Sequence, residues 1–159
     1  AAEFADVKEN EDILDLYCGA GTIGLYFAKK AGNSCHVTGA EIIPEAVENA
    51  RKNSGANGIA NIDFICADAG EAAKILAEKG RTPDIIVTDP PRKGCGVLTL
   101  ESIVKMRPER VVMVSCNPAT AARDCRYLAD NEYRLDRLRA VDMFPGAGHV
   151  ECAVLMTSQ

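Results

Sequence analysis

Short apolar runs alternate along the chain with longer segments that have the spacing of amphipathic helices. The runs predict strands over residues 12–17, 36–41, 62–67, 84–89 and 110–115. Pro44 and Pro118 closely follow two of these runs. Each suits the first turn of a helix, where a missing backbone N–H costs no hydrogen bond. This alternation is typical of an α/β fold with a mostly parallel sheet.

The alternation stops after a predicted helix over residues 119–131. Two strand-like stretches follow, over residues 133–143 and 149–156, and only a short linker with the sequence FPGAG lies between them. Such a linker is too short for a right-handed crossover between parallel strands, so these two strands are predicted to pair antiparallel. A mostly parallel seven-stranded sheet with a C-terminal antiparallel hairpin and helices on both faces resembles the class I S-adenosylmethionine-dependent methyltransferase (Rossmann-like) fold.

The composition suits one globular domain over residues 1–159. Hydrophobic residues make up 47% of the 159 positions, enough for one sizeable core. The start of the chain is polar and acidic, unlike a signal peptide, and no apolar run is long enough to cross a membrane. The seven cysteines are scattered without a CxxC pair, which predicts neither a disulfide framework nor a metal site. We therefore expect a soluble protein in a reducing, cytoplasmic setting.

The net charge of −5 argues against broad electrostatic attraction to nucleic acid. Basic side chains at Arg92, Lys93, Arg123 and Arg126 nevertheless fall beside the motifs described next, where they are able to form a local basic rim. Charges at this density are also compatible with an ordinary solvated surface. Charge alone therefore does not predict a nucleic-acid-binding protein.

A glycine-rich segment, DLYCGAGTIG, links the first predicted strand to the next helix. Its GxGxxG spacing at Gly19, Gly21 and Gly24 is typical of a nucleotide-binding loop, in which a ligand approaches the backbone closely. A tight turn without a ligand is the alternative interpretation. The carboxylate of Asp15, at the end of the strand before the loop, suits a cationic ligand better than a pyrophosphate.

Acidic residues also occur at the ends of the next three predicted strands, at Glu41, Asp68 and Asp89. The carboxyl ends of parallel strands meet at the edge where ligands of open α/β sheets bind. S-adenosylmethionine carries a sulfonium, an ammonium, ribose hydroxyls and an adenine amino group, so it is able to use several acids. Any one of these acids alone is equally explained as a helix cap or a turn residue.

A cysteine, Cys116, ends the fifth predicted strand in the sequence SCNPAT. Free cysteines are most often small buried residues. Where a strand ends and a helix begins, however, unpaired N–H groups and the positive end of the helix dipole favour the thiolate. Cys116 is therefore a candidate nucleophile.

Several motifs together resemble a known family. The stretches DLYCGAGTIGL, GAEIIPEAVENARKN, DPPRKG, VSCNPATAARD and DMFP followed by HVE are similar, in this order, to those of the RNA 5-methyluridine (uracil-C5) methyltransferases. These enzymes include the bacterial 23S ribosomal RNA and tRNA uracil-C5 methyltransferases. The combination of DPPRKG with SCNPAT is specific, since adenine-N6 enzymes carry DPPY or NPPY instead.

The resemblance implies a role for each matching residue. S-adenosyl-L-methionine, with S-adenosyl-L-homocysteine as product, would be held by Tyr17, Gly19, Gly21, Thr22, Glu41 and Asp68 as well as by Asp15. Asp89 would lie where cofactor and uracil meet. Cys116 would be the nucleophile and Glu151 the general base. The RNA partner implied is 23S ribosomal RNA in preference to tRNA, because the motif sequences resemble those of the ribosomal RNA enzymes more closely.

The chain departs from the family pattern in two places. Family members usually carry a Gln-Thr pair ahead of HVE, where this chain has Gly146, Ala147 and Gly148, so the loop before Glu151 is less polar than in the family. Residues that precede the glycine-loop strand in family members, among them a glutamine, an RNA-binding barrel and in some cases an iron–sulfur cluster, are not in this sequence. We therefore expect the chain to be the C-terminal methyltransferase domain of such an enzyme.

Two other functions remain open at this point. A nicotinamide-dependent oxidoreductase is supported by GxGxxG alone, while the terminal hairpin, Asp15 and the SCNP sequence argue against it. A non-catalytic module that binds cofactor or RNA is supported only by the altered FPGAG loop. In that case Cys116 would be a structural thiol and Glu151 an exposed strand residue.

Overall fold

A computed structural model describes residues 1–143, 145–146 and 150–159 of the chain, without the side chain of Asn33. The strands in these ranges are β1 (Asp12–Leu16), β2 (His36–Glu41), β3 (Ile62–Cys66), β4 (Ile85–Thr88), β5 (Arg110–Ser115), β6 (Tyr133–Val141) and β7 (Glu151–Ser158). The helices are α1 (Ala2–Ala5), α2 (Thr22–Ala31), α3 (Pro44–Asn57), α4 (Ala69–Glu78), α5 (Val97–Met106) and α6 (Pro118–Ala129), and a 3₁₀ turn spans Gly32–Ser34.

The strands form one seven-stranded sheet in the order β3-β2-β1-β4-β5-β7-β6. The first five strands are parallel, and β7 pairs antiparallel with both β5 and β6. The predicted fold class, a mostly parallel sheet with a C-terminal antiparallel hairpin, is therefore confirmed. β7 is inserted between β5 and β6, so the last strand in the sequence is not the last strand of the sheet.

Differences from the predicted elements are confined to their ends. Tyr17 was predicted as a strand residue, but it has a φ of 61° and begins the turn that follows β1. β6 ends at Val141 and β7 begins at Glu151. His149, the predicted first residue of that last strand, lies outside the described residues. None of the described helices has the length and apolar content needed to span a membrane.

Helices cover both faces of the sheet and enclose two apolar layers. On one face, side chains of α1, α2 and α3 pack against the sheet around Phe27, Val47 and Phe64. On the other face, α4, α5 and α6 pack around Leu76, Ile103 and Leu128. Because both faces are buried, every residue of a central strand such as β4 is buried, and three of its four residues are apolar, as expected of a parallel sheet.

A buried arginine attaches the N-terminal segment to strand β5. The guanidinium of Arg110, the first residue of β5, donates to the carbonyl oxygens of Ala5 and Asp6. It also forms a buried ion pair with Glu11. Helix α1 thereby packs against β5 and β7, so the beginning and the end of the chain meet on the same strands.

The connections from β1 and β4 leave in opposite directions, since β1 leads to β2 on one side and β4 leads to β5 on the other. Open α/β sheets form a crevice at such a switch point, outside the carboxyl ends of the strands. Because β7 runs antiparallel, its first residues lie at this same edge. The fold therefore brings the ends of β1 to β5 and the start of β7 to one side of the molecule, which we call the C-terminal edge.

Gly39 in β2 lies under two larger side chains. A Cβ atom at this position would stand 2.6 Å from Cδ1 of Phe64 and 2.9 Å from Sγ of Cys18. Both distances are shorter than van der Waals contact, and both neighbours are themselves buried. Gly39 is therefore needed here for close packing beneath the loop that carries Cys18.

We expect Gly39→Ala to lower the free energy of unfolding by about 1–3 kcal/mol, the usual cost of overpacking a core. Urea unfolding followed by circular dichroism measures the change. Gly55→Ala is the matched control, because a Cβ at Gly55 in α3 meets no atom within 4 Å. That variant should be neutral or more stable by up to about 1 kcal/mol. Equal unfolding midpoints for the two variants would contradict the packing argument.

Candidate active site

The structure brings nearly all of the predicted site residues to the C-terminal edge. The strand to which each belongs or is adjacent gives its place: Tyr17, Gly19, Gly21 and Thr22 after β1, Glu41 at the end of β2, Asp68 after β3, Asp89 after β4, Cys116 after β5 and Glu151 at the start of β7. Asp15 differs, since its side chain is completely buried inside the sheet.

The glycine loop after β1 is fixed by side chains from neighbouring elements. Gly19 and Gly21 have φ values of 53° and 84°, which favour glycine. A carboxylate oxygen of Glu41 accepts a hydrogen bond of 3.1 Å from the backbone N–H of Gly19. The side-chain amide of Asn53 in α3 donates to the carbonyl oxygen of Ala20 at 3.0 Å. The loop is therefore held in shape before any ligand binds.

The two loop glycines serve different purposes. A Cβ at Gly19 would meet nothing within 4 Å, so its backbone borders open space that a ligand is able to enter. A Cβ at Gly21 would lie 3.0 Å from the ring of Phe64, so this glycine allows the loop to pack on the core. Thr22 begins α2 and is exposed.

A small cavity of about 100 Å³ lies beside the loop and is bordered by Tyr17, Glu41, Ile42, Asp68 and Thr99. The second oxygen of Glu41 accepts from the N–H of Ile43 at 3.0 Å, which orients the carboxylate at the cavity rim. Ile42 is 66% exposed, so it offers an apolar surface next to this carboxylate. A carboxylate beside an apolar wall suits a ligand with hydroxyl groups and a flat ring.

Three of the residues that border this cavity have structural roles as well. The hydroxyl groups of Tyr17 and Thr99 are 2.8 Å apart and hydrogen-bonded, and burial raises the pKa of Tyr17, which keeps the phenol neutral. Asp68 caps α4 by accepting a 2.9 Å hydrogen bond from the N–H of Glu71. The helix cap considered for Asp68 in the sequence is thus present, and the same residue also borders the cavity.

Cys116 and Glu151 come together because of strand pairing. Ser115 at the end of β5 is opposite Cys152, and Cys152 directly follows Glu151 at the start of β7. The side chains of Cys116 and Glu151 are both half-buried. The pKa of Asp89 is raised, first by partial desolvation and then by repulsion from the carboxylate of Glu151. A thiol and two carboxyl groups from β4, β5 and β7 therefore share this part of the edge.

The remaining buried cysteines are poor nucleophiles. Burial raises the pKa of Cys18 and Cys95 to about 12 and that of Cys125 to about 11, with nearby carboxylates adding to the effect. The thiol of Cys152 faces the carbonyl oxygen of Ser115 at 3.4 Å, and burial raises its pKa too. These thiols stay protonated at neutral pH. Cys18 lies in the glycine loop, but its buried thiol serves packing.

The loop with the sequence PPRKGCG, after β4, is attached to α6 by a buried carboxylate that sequence analysis missed. Asp124 accepts from the N–H of Cys95 at 2.8 Å and pairs with Arg123. The guanidinium of Arg123 also donates to the carbonyl oxygens of Lys93 and Cys95, both at 3.1 Å. A Cβ at Gly94 would be 2.7 Å from a carboxylate oxygen of Asp124, so the close approach needs glycine.

The first turn of α6 holds the same loop from the other side. The side-chain amide of Asn117 donates to the carbonyl oxygen of Arg92 at 3.1 Å, and its side-chain oxygen caps α6. The hydroxyl of Thr120 donates to the same carbonyl at 3.3 Å. The loop that follows Asp89 and the helix that follows Cys116 are therefore fixed to each other. The signal for this contact is the motif SCNPATAARD, whose polar residues face the loop.

Comparisons with known proteins agree with this arrangement. The family model described as tRNA (uracil-5-)-methyltransferase matches residues 1–159. An uncharacterized RNA methyltransferase of Oceanobacillus iheyensis is 44% identical over 160 residues, which cover 99% of this chain and 34% of that protein. One of Halalkalibacterium halodurans is 46% identical over 156 residues, covering 98% and 33%. The chain thus spans about a third of the length of these relatives.

Solved structures give the same picture. The tRNA (uracil-54, C5)-methyltransferase of Pyrococcus abyssi, in complex with S-adenosyl-L-homocysteine, superimposes with a TM-score of 0.82 at 33% identity, over 98% of this chain and 36% of that one. A precorrin-6y C5,15-methyltransferase of Geobacter metallireducens, with a TM-score of 0.79 at 12% identity over 98% and 84% of the two chains, shares the fold alone. The fold is that of class I S-adenosylmethionine-dependent methyltransferases, and the chain belongs to the tRNA (uracil-5-)-methyltransferase family of RNA-methylating enzymes.

Proposed function

We propose that this chain transfers a methyl group from S-adenosylmethionine to C5 of a uridine in RNA, with Cys116 as nucleophile and Glu151 as general base. The observation that carries the proposal is the convergence of Cys116, Asp89 and Glu151 at the edge that also holds the glycine loop. A nicotinamide-dependent oxidoreductase would need neither a thiol nor a second carboxylate at that position. A non-catalytic module would not need the glycine loop and the thiol together.

The described residues fit S-adenosylmethionine, which supplies an electrophilic methyl group on its sulfonium. Gly19 leaves its backbone open to a ligand, and the fixed carboxylate of Glu41 suits the two ribose hydroxyls. Asp68 suits the adenine amino group, while Tyr17 and the exposed Ile42 form the apolar wall. Gly21 and Thr22 shape the start of α2 next to the loop. Asp89 lies toward Cys116, where cofactor and uracil would meet.

The chemistry of uracil explains the need for a cysteine. C5 of uracil is too weak a nucleophile to take a methyl group directly. Addition of the Cys116 thiolate to C6 forms a carbon–sulfur bond and moves an electron pair to C5 and O4, which gives C5 carbanion character. C5 would then form a bond to the methyl carbon as the bond from that carbon to the sulfonium sulfur breaks, which would leave S-adenosyl-L-homocysteine.

The chemistry also requires a base on the same side. After methylation, C5 still carries its original proton, and the bond from C6 to sulfur must break. Removal of the C5 proton by the carboxylate of Glu151 returns the electron pair to the ring and expels the Cys116 thiolate. Partial desolvation and repulsion from the Glu151 carboxylate raise the pKa of Asp89, so Asp89 holds a proton more readily than a free aspartate does.

We propose 23S ribosomal RNA as the substrate on the wording of the motifs, with tRNA as the second candidate, which the Pyrococcus abyssi enzyme supports. The target uridine must be single-stranded or flipped out, because C6 is not accessible inside a stacked helix. A cytoplasmic setting is part of the proposal, since Cys116 must stay reduced. So is the assignment of this chain to the C-terminal domain of a longer enzyme.

Asp15 is proposed to position the glycine loop without contacting the ligand itself. One of its oxygens accepts a 2.8 Å hydrogen bond from the N–H of Gly24 in the first turn of α2. Its other oxygen has no partner among the described residues. Burial raises the pKa of Asp15 to about 7, and Asp89 and Glu41 add to the rise. The sequence predicted this carboxylate beside a cationic ligand, whereas in the fold it lies beneath the loop and bonds to the start of α2.

We expect the buried carboxyl of Asp15 to make the protein less stable as the pH rises from 4 to 7. Its raised pKa means that the folded state binds the proton more tightly, so this contribution to stability is complete below pH about 4 and is lost by about 7. The loss is up to about 4 kcal/mol. Urea unfolding of wild type and Asp15→Asn across this range measures it as the difference between the two curves. If the free energies of unfolding of wild type and Asp15→Asn change in parallel with pH, the raised pKa of Asp15 is contradicted.

Cys116→Ser should lower methyl transfer to RNA by at least about a thousandfold, because a hydroxyl is not ionised at neutral pH. RNA carrying 5-fluorouridine tests the adduct directly, since the C5–F bond blocks release and leaves the protein attached to RNA on a denaturing gel. The wild type and the control Cys152→Ala should form this complex, and Cys116→Ser should not. A complex that survives Cys116→Ser would refute the nucleophile assignment.

Glu151→Gln should allow the methyl transfer but slow release of the product by at least about a hundredfold, because the amide does not remove the C5 proton. A covalent protein–RNA complex should then accumulate with ordinary uridine RNA and radiolabelled methyl donor. Glu78→Gln, an exposed carboxylate at the end of α4, is the control and should turn over like the wild type. Normal turnover by Glu151→Gln would remove this residue from the mechanism.

A further inference from the structure

A groove between α5 and α6 begins beside the candidate active site, and we propose that it binds the backbone and bases of the single-stranded RNA that flanks the target uridine. The inference rests on the proposed function and adds a second contact surface to it. The groove has a volume of about 630 Å³, and its walls include Lys93, Val97, Arg123, Arg126 and Tyr127. We call it the α5–α6 groove.

The groove collects positive charge on a protein that is acidic as a whole. Three of the four basic residues noted in the sequence, Lys93, Arg123 and Arg126, line it. The acidic residues facing them are Asp124, which is buried under Arg123, and Asp130 at the far end. Since the chain as a whole has a net charge of −5, this local excess of cations is not the result of a generally basic surface.

Both arginines keep part of their guanidinium available. The side chain of Arg126 is 78% exposed and pairs with Asp130 through Nε. The side chain of Arg123 is 56% exposed even though it holds the loop after β4. The two residues are three positions apart in α6 and so lie on one face, about 4.5 Å apart along the helix axis. Guanidinium groups in such a row suit consecutive phosphates.

The groove also offers surfaces on which bases are able to stack. The ring of Tyr127 is half-buried in its wall, and Val97 opposite is 63% exposed. Proteins that bind single-stranded nucleic acid combine a positive groove with aromatic side chains, because the cations follow the backbone and the rings stack with bases. The α5–α6 groove has both features. The bases of a duplex are already stacked inside the helix, so they would not stack on these surfaces.

The position of the groove connects it to the reaction. Lys93 belongs to the loop that follows Asp89, and Arg123 and Arg126 belong to the helix that follows Cys116. Asn117, Thr120 and Asp124 fix loop and helix to each other, so the groove is joined to the strand end that carries Cys116. An RNA strand leaving a uridine at Cys116 therefore reaches Lys93 first and then the two arginines.

Binding of a uridine-containing single-stranded oligoribonucleotide to Lys93→Glu, compared with Lys29→Glu, tests the groove. Lys29 is exposed on α2, on the opposite face of the sheet, so both variants change the net charge equally. Fluorescence anisotropy over a range of salt concentrations gives the affinity and its salt dependence. Lys93→Glu should weaken binding about tenfold and reduce the slope of log affinity against log salt by about 0.7. Lys29→Glu should stay within about twofold of wild type.

Tyr127→Leu should weaken binding about fivefold and leave the salt slope unchanged, because it removes stacking and no charge.

In methylation assays Lys93→Glu should raise the KM for RNA and leave kcat within about twofold of wild type. If Lys93→Glu and Lys29→Glu change RNA affinity equally in a protein that methylates RNA, the proposed role of the α5–α6 groove is wrong. The proposed function is then unaffected. A wild type that neither binds nor methylates RNA would overturn both.

Discussion

The site depends on a constraint of the sheet, namely that parallel strands all end at the same edge. Five strands deliver their following loops there, and β7 joins them only because it runs in the opposite direction between β5 and β6. A thiol from one strand end and a carboxylate from a strand start thus become neighbours although 35 positions separate them. In the proposed addition and elimination both groups act on one substrate ring, and the antiparallel strand supplies their proximity.

Side chains from neighbouring helices and strands fix the loops at the C-terminal edge. The backbone of the glycine loop is hydrogen-bonded by Glu41 and Asn53, and the loop after β4 is hydrogen-bonded by Asp124, Asn117 and Arg123. These bonds join the glycine loop to β2 and α3 and the loop after β4 to α6, so the loops share the rigidity of the sheet and its helices. A site fixed in this way pays little ordering entropy when ligands bind.

Much of this architecture is predictable from the sequence because the physical signals are local. A strand buried on both faces must be mostly apolar, so runs such as the one at β4 stand out, and the short linker before β7 excludes a parallel crossover. Tyr17 was misplaced because a positive φ in a non-glycine residue has no sequence signature. The burial of Asp15 and the role of Asp124 were also missed, since each depends on partners that only the folded chain brings near.

The central place of β7 has a consequence for how the chain folds. Strand β6 pairs with no strand other than β7 among the described residues, and β5 keeps an open edge until β7 arrives. During synthesis the sheet therefore stays incomplete until β7 emerges, and the contacts of α1 with β7 must wait for the same event. Long-range pairing of this kind slows folding and leaves a strand edge available to other chains. Strand β7, which brings Glu151 to the C-terminal edge, is thus also the strand that covers the open edge of β5 and protects it from aggregation.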